Sequence, residues 1–353
     1  MKLNHIYKSI ACGVLLAMTA TSCDLDYNPV DTYSDVTEGV NKTDEKPIFN
    51  SVQDVKTSMV TLHKKFRDRQ EHWYVDKLLI GDAHSDNAYA GTTGAEVVPY
   101  ETNSIEGSNS VLKRDWDRFL GDIAVANRII VGCDQLKALS ESERGKYQSQ
   151  AKIFRAMVMF DMVRLWGNFP VITTVGGDIT EDNVEEMYPT YFPPQNTAEE
   201  AYAQIEKDLT EAVENPNTPT NDTSDKSILT KSVARAMLAK VYAEKPLRDY
   251  AKVIKYADEL AADGFDLVED FSDLWAYDTE KKDCRVRNTK EAILEAHFPP
   301  GSGNWCTWMF GRNLSNWDES FTWAKWITPS RDLIRLYEAV SYTHLTLPTS
   351  DLV

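Results

Sequence analysis

Thiol chemistry is nearly absent from this 353-residue chain. Its five cysteines, Cys12, Cys23, Cys133, Cys284 and Cys306, are widely and irregularly spaced. No C-x-x-C pair and no disulfide framework is implied. H-E-x-x-H, G-x-S-x-G, a Walker loop and G-x-G-x-x-G are also missing, so no zincin, hydrolase or nucleotide-binding motif is present. The histidines at 63, 72, 84 and 297 have no metal-ligand spacing, and His63 is expected to face solvent on the first helix. Strand-like alternation is scarce, with Glu291 to Phe298 the best short candidate. Past the N-terminus, no apolar run approaches the ~20 residues that span a bilayer. Basic residues are outnumbered, 38 against 55 acids, for a net charge of −17. Such a field repels nucleic acid and anionic membrane surfaces and keeps the protein soluble. A glycosidase needs two carboxylates across a cleft, but in so acidic a chain a chance pair carries no information.

The N-terminus has a different texture. Lys2 and Lys8 precede an apolar or small stretch, Ile10 to Ala20, too short for a stable membrane helix. Ala20, Thr21 and Ser22 then lead into Cys23. A secretory signal ending in small residues and a cysteine resembles a bacterial lipobox. That resemblance implies acylation of Cys23, cleavage of residues 1–22, and a lipid anchor at the mature N-terminus. Cleavage removes Lys2 and Lys8 and no acid, taking −17 to −19. Cys12 leaves with the signal, and Cys133, Cys284 and Cys306 remain as isolated thiols. Residues 23–50 are polar and aperiodic, with Pro29 and Pro47, and read as an extended tether.

Helical periodicity begins at Ser51, with Asp54 in the first turn and Val52, Val55, Met59, Leu62 and Phe66 on one face. Ala83 to Asn109 is loop-like. A second long helix carries Leu112, Trp116, Phe119, Ile123 and Ile130 on one face. A third opens on the capping box Ser140-x-x-Glu143 and stops at Gly167, before Pro170. A fourth opens on Thr197-x-x-Glu200 and ends where Pro216 and Pro219 interrupt. Asn217, Asn221, Asp222 and Asp225 there form either an oxygen-rich calcium loop or a solvated turn, and they lack the EF-hand pattern. Thr230 to Glu244 and Leu247 to Asp263 read as an antiparallel hairpin of tetratricopeptide kind. Val233, Met237, Leu238 and Val241 are expected to meet Tyr250, Val253, Ile254, Ala257 and Leu260.

The pattern then changes. Residues 51–275 read as one helical domain and 276–339 as a loop-rich aromatic region. Trp305, Trp308, Phe310, Trp317, Phe321, Trp323 and Trp326 crowd one Gly- and Asn-rich stretch. The last stretch, 340–353, loses all pattern. Val340 to Ser350 resembles translated sequencing-adaptor DNA, so it is kept out of the fold reasoning and the chain is expected to be C-terminally truncated.

Several stretches together resemble the SusD/RagB outer-membrane nutrient-uptake lipoproteins. The mature start Cys23-Asp24-Leu25-Asp26-Tyr27-Asn28-Pro29 is one. The strongest is Ala151-Lys152-Ile153-Phe154-Arg155-Ala156, continuing through Phe160-Asp161-Met162-Val163-Arg164-Leu165-Trp166-Gly167-Asn168-Phe169-Pro170. Ala201–Ala212, Thr230–Tyr242 and Pro329–Tyr337 follow in the family's order. The resemblance implies a mostly α protein built on tetratricopeptide-like hairpins, with an irregular aromatic region. It implies a surface-exposed, lipid-anchored, non-enzymatic protein of the outer membrane. Such a protein binds an oligosaccharide or polysaccharide and passes it to a SusC-like TonB-dependent transporter, without a cofactor.

The residues point the same way on their own chemistry. Flat aromatics cover the apolar faces of sugar rings, and Asn, Asp and Arg satisfy the hydroxyls. Two segments hold that mixture: Asp82 to Tyr100, with Asp86, Asn87, Tyr89 and Tyr100, and the Trp-rich stretch, with Trp305, Trp308, Trp317 and Trp323 beside Arg312, Asn313, Asn316 and Asp318. The rival readings are a tetratricopeptide-like scaffold that binds a protein in its groove, and a glycoside hydrolase.

Overall fold

The computed structural model describes residues 47–69, 71–90, 96–177, 179, 181, 183–274, 276–281, 283–298 and 327–340. Cys23 and the stretch from Trp305 to Trp323 lie outside the described residues. Helix α1, Val52–Asp68, starts at a reciprocal cap: the Ser51 hydroxyl accepts the Asp54 amide, and the Asp54 carboxylate accepts the Ser51 amide. Two π-helical stretches follow, Glu71–Asp76 and Leu79–Ala83. Then come strand β1 (Ala88–Ala90), the short helix α2 (Val98–Glu101) and two long helices, α3 (Ser110–Gln135) and α4 (Glu141–Trp166). Helices α5 (Val184–Tyr191), α6 (Ala198–Glu214), α7 (Lys231–Ala243) and α8 (Tyr250–Ala262) complete the helical body. The small strands β2 (Tyr277–Asp278) and β3 (Asp283–Cys284) form a hairpin, and β4 (Ile327–Pro329) leads into α9 (Arg331–Val340).

Helix α4 is the centre of the core. Every residue from Ile153 to Val163 is buried, the pattern of a helix packed on all sides. Helices α1, α3, α6 and α7 pack around it. One apolar cluster runs from Phe49 through Phe119, Phe154, Ile205 and Leu238 to Tyr256. The helix ends at Gly167, whose φ of 71° lies in the left-handed region that suits glycine. Burial of Arg155 in this core requires a partner. Its guanidinium donates to both carboxylate oxygens of Asp208, at 2.7 and 2.6 Å, and to Asn127 Oδ1 at 2.7 Å. Asn127 in turn donates to the carbonyls of Ile172 and Thr174, which fixes the chain just after α4.

Several expectations need correction. Ser140 does cap α4, but Glu143 accepts the Ser140 hydroxyl rather than its backbone amide. His63 is half-buried instead of solvated. Burial pulls its pKa down, against a hydrogen bond with Gln150 that raises it. In the α7–α8 hairpin, Tyr250 and Ile254 point out, 59% and 62% exposed. Tyr256 is the buried residue, and its ring lies parallel to that of Tyr242 at 6.1 Å. The inward stripe is therefore Val253, Tyr256 and Leu260: Val253 and Leu260 match the expectation, and Tyr256 replaces Tyr250, Ile254 and Ala257. Arg235 fixes this rotation by pairing with Glu259 of α8 and with Asp263 at its C-terminal cap. Glu291 to Phe298 forms no strand; it packs Ile293 and Leu294 on the core and donates the Glu295 amide to the Lys226 carbonyl. In the Asn217–Asp225 loop, Asp222 accepts from Ser224 and Asp225 from Ser227. Those oxygens close local turns. Cys133 is a free buried thiol, its pKa pushed up to about 12 by burial, and Cys284 is free and exposed.

Candidate functional site

The loop after the second π-helical stretch is held by its own backbone. His84 donates to Leu79 and Ser85 to Asp82, and the Ser85 hydroxyl returns to the Asp82 carbonyl. Asp86 and Asn87 are consequently displayed at the tip, exposed. The three residues of β1 then alternate. Ala88 and Ala90 face inward and Tyr89 faces out, 42% exposed. The inward side joins a second small core of Leu79, Ala83, Val97, Tyr100, Val111 and Ile327. Glu101 of α2 accepts the Ala90 amide at 2.9 Å, which anchors the end of the strand.

Strand β1 pairs antiparallel with β4, Tyr89 opposite Thr328, and the Ser330 amide donates to the Asn87 carbonyl at 2.8 Å. The Trp-rich stretch of the sequence ends at Trp326, one residue before β4 begins. The pairing therefore sets β4, which follows one candidate segment directly in sequence, beside the middle of the other, across more than two hundred residues of chain. The positions of Trp305, Trp308, Trp317 and Trp323 themselves fall outside the described residues.

Tyr100 does not belong with Tyr89. It is 1% exposed, and its hydroxyl donates to Asn109 Oδ1 at 3.3 Å. Asn109 caps α3 through the same oxygen. Burial, reinforced by Asp76 and Asp115, raises the phenol pKa. Tyr100 thus holds the loop from beneath, and a sugar cannot reach its ring.

Directly before this loop lies a buried polar cluster that sequence reading missed. His72 Nδ1 is 2.9 Å from Asp115 Oδ2, and Nε2 is 2.8 Å from Asp161 Oδ2. Asp76 pairs with Arg114, and Asp161 with Lys77 at 3.1 Å. The edge of the His72 ring packs on Phe119 and Trp73. Burial and then the charge of Asp115 push Asp76 up to about 7, against Arg114. The only hint in the sequence was His72 and Asp76 four residues apart, too common a spacing to single out. His72, Asp76 and Asp115 each bring one donor atom within 4.8 Å of the others. Arg114, Lys77 and the histidine already balance the three carboxylates, so the cluster reads as an ion-pair joint. It ties the π-helical segment to α3 and α4, and so sets where the loop emerges.

Comparison with known proteins fits this geometry. The family profile described as "Starch-binding associating with outer membrane" (SusD-like) matches residues 33–243. A "SusD-like protein" of Bacteroides ovatus is 26% identical over 238 residues, 64% of this chain and 39% of the relative. A SusD superfamily protein from Bacteroides fragilis superposes with a TM-score of 0.57 at 16% identity, over 76% of this chain and 53% of the other. The surface glycan-binding protein A of Bacteroides thetaiotaomicron, solved in complex with laminarihexaose, superposes with a TM-score of 0.52 at 16% identity, over 64% and 46%. The chain spans about two fifths of the length of the curated relative and about half that of these solved structures. It shares their mostly helical, tetratricopeptide-containing fold. On the extent of the profile match and the fold, the chain belongs to the SusD-like family.

Proposed function

We propose that this protein binds a neutral oligosaccharide at its surface and does no chemistry on it. The pairing of β1 with β4 carries the reading. It sets the exposed Asp86, Asn87 and Tyr89 at β4, the strand that follows the Trp-rich stretch in sequence. Tyr89 supplies a flat apolar face and Asp86 and Asn87 supply hydroxyl partners, the combination that a sugar ring requires. A relative of the same fold was solved with laminarihexaose bound, which supports a glycan as the ligand class. In the same reading the protein is lipid-anchored through Cys23, sits at the cell exterior on the outer membrane and hands its ligand to a TonB-dependent transporter. Exposed Tyr250 and Ile254 on α8 favour a protein contact on the repeats, so a scaffold role accompanies ligand binding rather than replacing it.

Calorimetry of the chain without its signal, against laminarihexaose and a panel of neutral polysaccharides, tests this. Saturable binding that changes little between low and high salt is expected, because no ion pair is involved. Binding to none of the panel, or binding only to acidic glycans with a steep salt dependence, would sink it.

A further inference from the structure

Helix α5 raises a question that packing does not answer. None of its eight residues is buried. Tyr188 is 59% exposed, Tyr191 45%, and the adjoining Phe192 66%. A surface helix that adds nothing to a core ordinarily carries polar side chains, and clustered exposed aromatics mark a contact site.

The rings are fixed in advance of any partner. Those of Tyr188 and Phe192 stack at 4.8 Å between centroids and 28° between planes. The Tyr191 hydroxyl donates to the Gly177 carbonyl at 2.6 Å. Its ring lies over Gly176, where an added Cβ would come within 2.9 Å of Tyr191 Cζ. Pro189, Pro193 and Pro194 stiffen the backbone around them. Pre-positioned rings lose little entropy when a ligand arrives.

Charge and size narrow the ligand. From Gly167 to Glu206 the sequence has no Lys, Arg or His, while Glu181, Glu185 and Glu186 flank the rings. Within this segment an anionic sugar or a phosphate meets these three carboxylates and no cation, although Arg128 of α3 lines the hollow that Gly176 borders. Taking about 150–250 Å² per aromatic side chain, the exposed parts of the three rings offer roughly 300 Å². A stable protein interface takes about 800 Å² from each partner. The area suits one or two sugar rings.

We propose that Tyr188, Tyr191 and Phe192 form a second carbohydrate platform, which stacks on the apolar face of a neutral hexose chain. It is built from a different stretch of chain than the Asp86–Tyr89 loop. The inference rests on the glycan-binding reading above, and the test separates the two.

Laminarihexaose and maltohexaose are titrated into the wild-type chain, a Tyr188→Ala/Phe192→Ala variant and a Trp305→Ala/Trp308→Ala variant, by calorimetry and by aromatic NMR shifts. Since Tyr188 and Phe192 are both more than half exposed, the first variant should keep the wild-type melting temperature. Its affinity for the better ligand should fall about fivefold or more, the size expected for one aromatic contact. Phe192→Trp should bind at least as well as wild type. If the α5 variant binds like wild type while the Trp variant loses affinity, the platform is refuted and the first site stands. If the wild type binds neither sugar, both fall. If the Tyr188 signals respond to choline and to neither hexasaccharide, the rings and their glutamates form a cation cage and the sugar assignment is wrong.

Discussion

His72 Nε2 sits 2.8 Å from Asp161 Oδ2 while Nδ1 of the same ring sits 2.9 Å from Asp115. A neutral imidazole has one N–H, and carboxylates only accept. Two such contacts therefore hold one proton more than a neutral histidine between two aspartates would supply. The cluster stores that proton in the interior, on His72.

The consequence is a stability that falls as pH rises. Burial works to lower the His72 pKa, but the hydrogen bonds to Asp115 and Asp161 outweigh it and leave the pKa raised. A raised histidine stabilises fully below its unfolded value of about 6.5, and this is lost as pH climbs through the folded value. Asp76, raised to about 7 by burial and Asp115, acts in the same direction, since the fold holds its proton between about 3.8 and 7. The melting temperature should decline from pH 5 to pH 8.5. In His72→Gln the alkaline part of that slope should flatten, from a lower starting stability. A melting temperature that rises with pH over this interval would contradict the stored proton.

Arg155 and Asp208 give a second prediction, about stability alone. Both are almost fully buried, and the guanidinium meets the carboxylate with two parallel bonds. Arg155→Leu strands a buried carboxylate, which costs about 3–5 kcal/mol. Arg155→Lys keeps the charge but not the fork, and should recover part of the loss. Urea denaturation checks both. Removing both partners, as in Arg155→Leu/Asp208→Leu, should be milder than Arg155→Leu.

Much of the helical body was legible in the sequence, because caps and apolar stripes are local signals. Ser51, Thr197 and Gly167 each mark a helix end where the structure has one. The loop composition around Asp86 and Asn87 also identified groups that are displayed to solvent. What sequence could not give is long-range. Tyr100 and Tyr89 look alike as residues, and only the pleat of β1 and the cap at Asn109 send one inward and the other out. In the α8 stripe Val253 and Leu260 were placed correctly, but Tyr250 and Ile254 were not, because they share a period with the true inward residues. The choice between them is made by Arg235 on the neighbouring helix. The His72 joint draws on 72, 115 and 161, which no spacing rule connects.

Tyr89 and Tyr100 offer a paired test of the loop. Tyr89→Ala removes an exposed ring and should weaken glycan binding with little change in melting temperature. Tyr100→Ala empties a core site and should cost about 3–5 kcal/mol of stability, as for a buried aromatic. If Tyr89→Ala melts early and binds normally, the strand needs Tyr89 for folding and its ligand role is withdrawn.

Trp305 and Trp308 are tested in the same way. Each ring that stacks on ligand should cost about 2 kcal/mol or more when truncated, as binding hot spots do. Lost affinity with an unchanged melting temperature supports the site. A large drop in melting temperature would mean that they seal a core, and they would leave the assignment.

A substitution at Cys23 tests the proposed anchor. Among the described residues no helix is long and apolar enough to cross a membrane; the lipobox-like junction at Cys23 is the attachment that we propose. A single acyl chain gives only marginal, reversible membrane binding, and each buried CH₂ adds about 0.8 kcal/mol, so several chains on one residue are needed for durable attachment. Cys23→Ala should leave a protein with unchanged circular dichroism and melting temperature, because Cys23 precedes in sequence every residue of the apolar core. It should move from the membrane pellet to the soluble fraction after cell breakage. Wild-type protein should remain in the pellet through a high-salt wash, since acyl burial is not screened by ions. A Cys23→Ala protein that stays in the pellet through the same wash would remove the lipid anchor from this account. One that is released by salt would replace it with an electrostatic contact, which a mature charge of −19 makes difficult on an anionic surface.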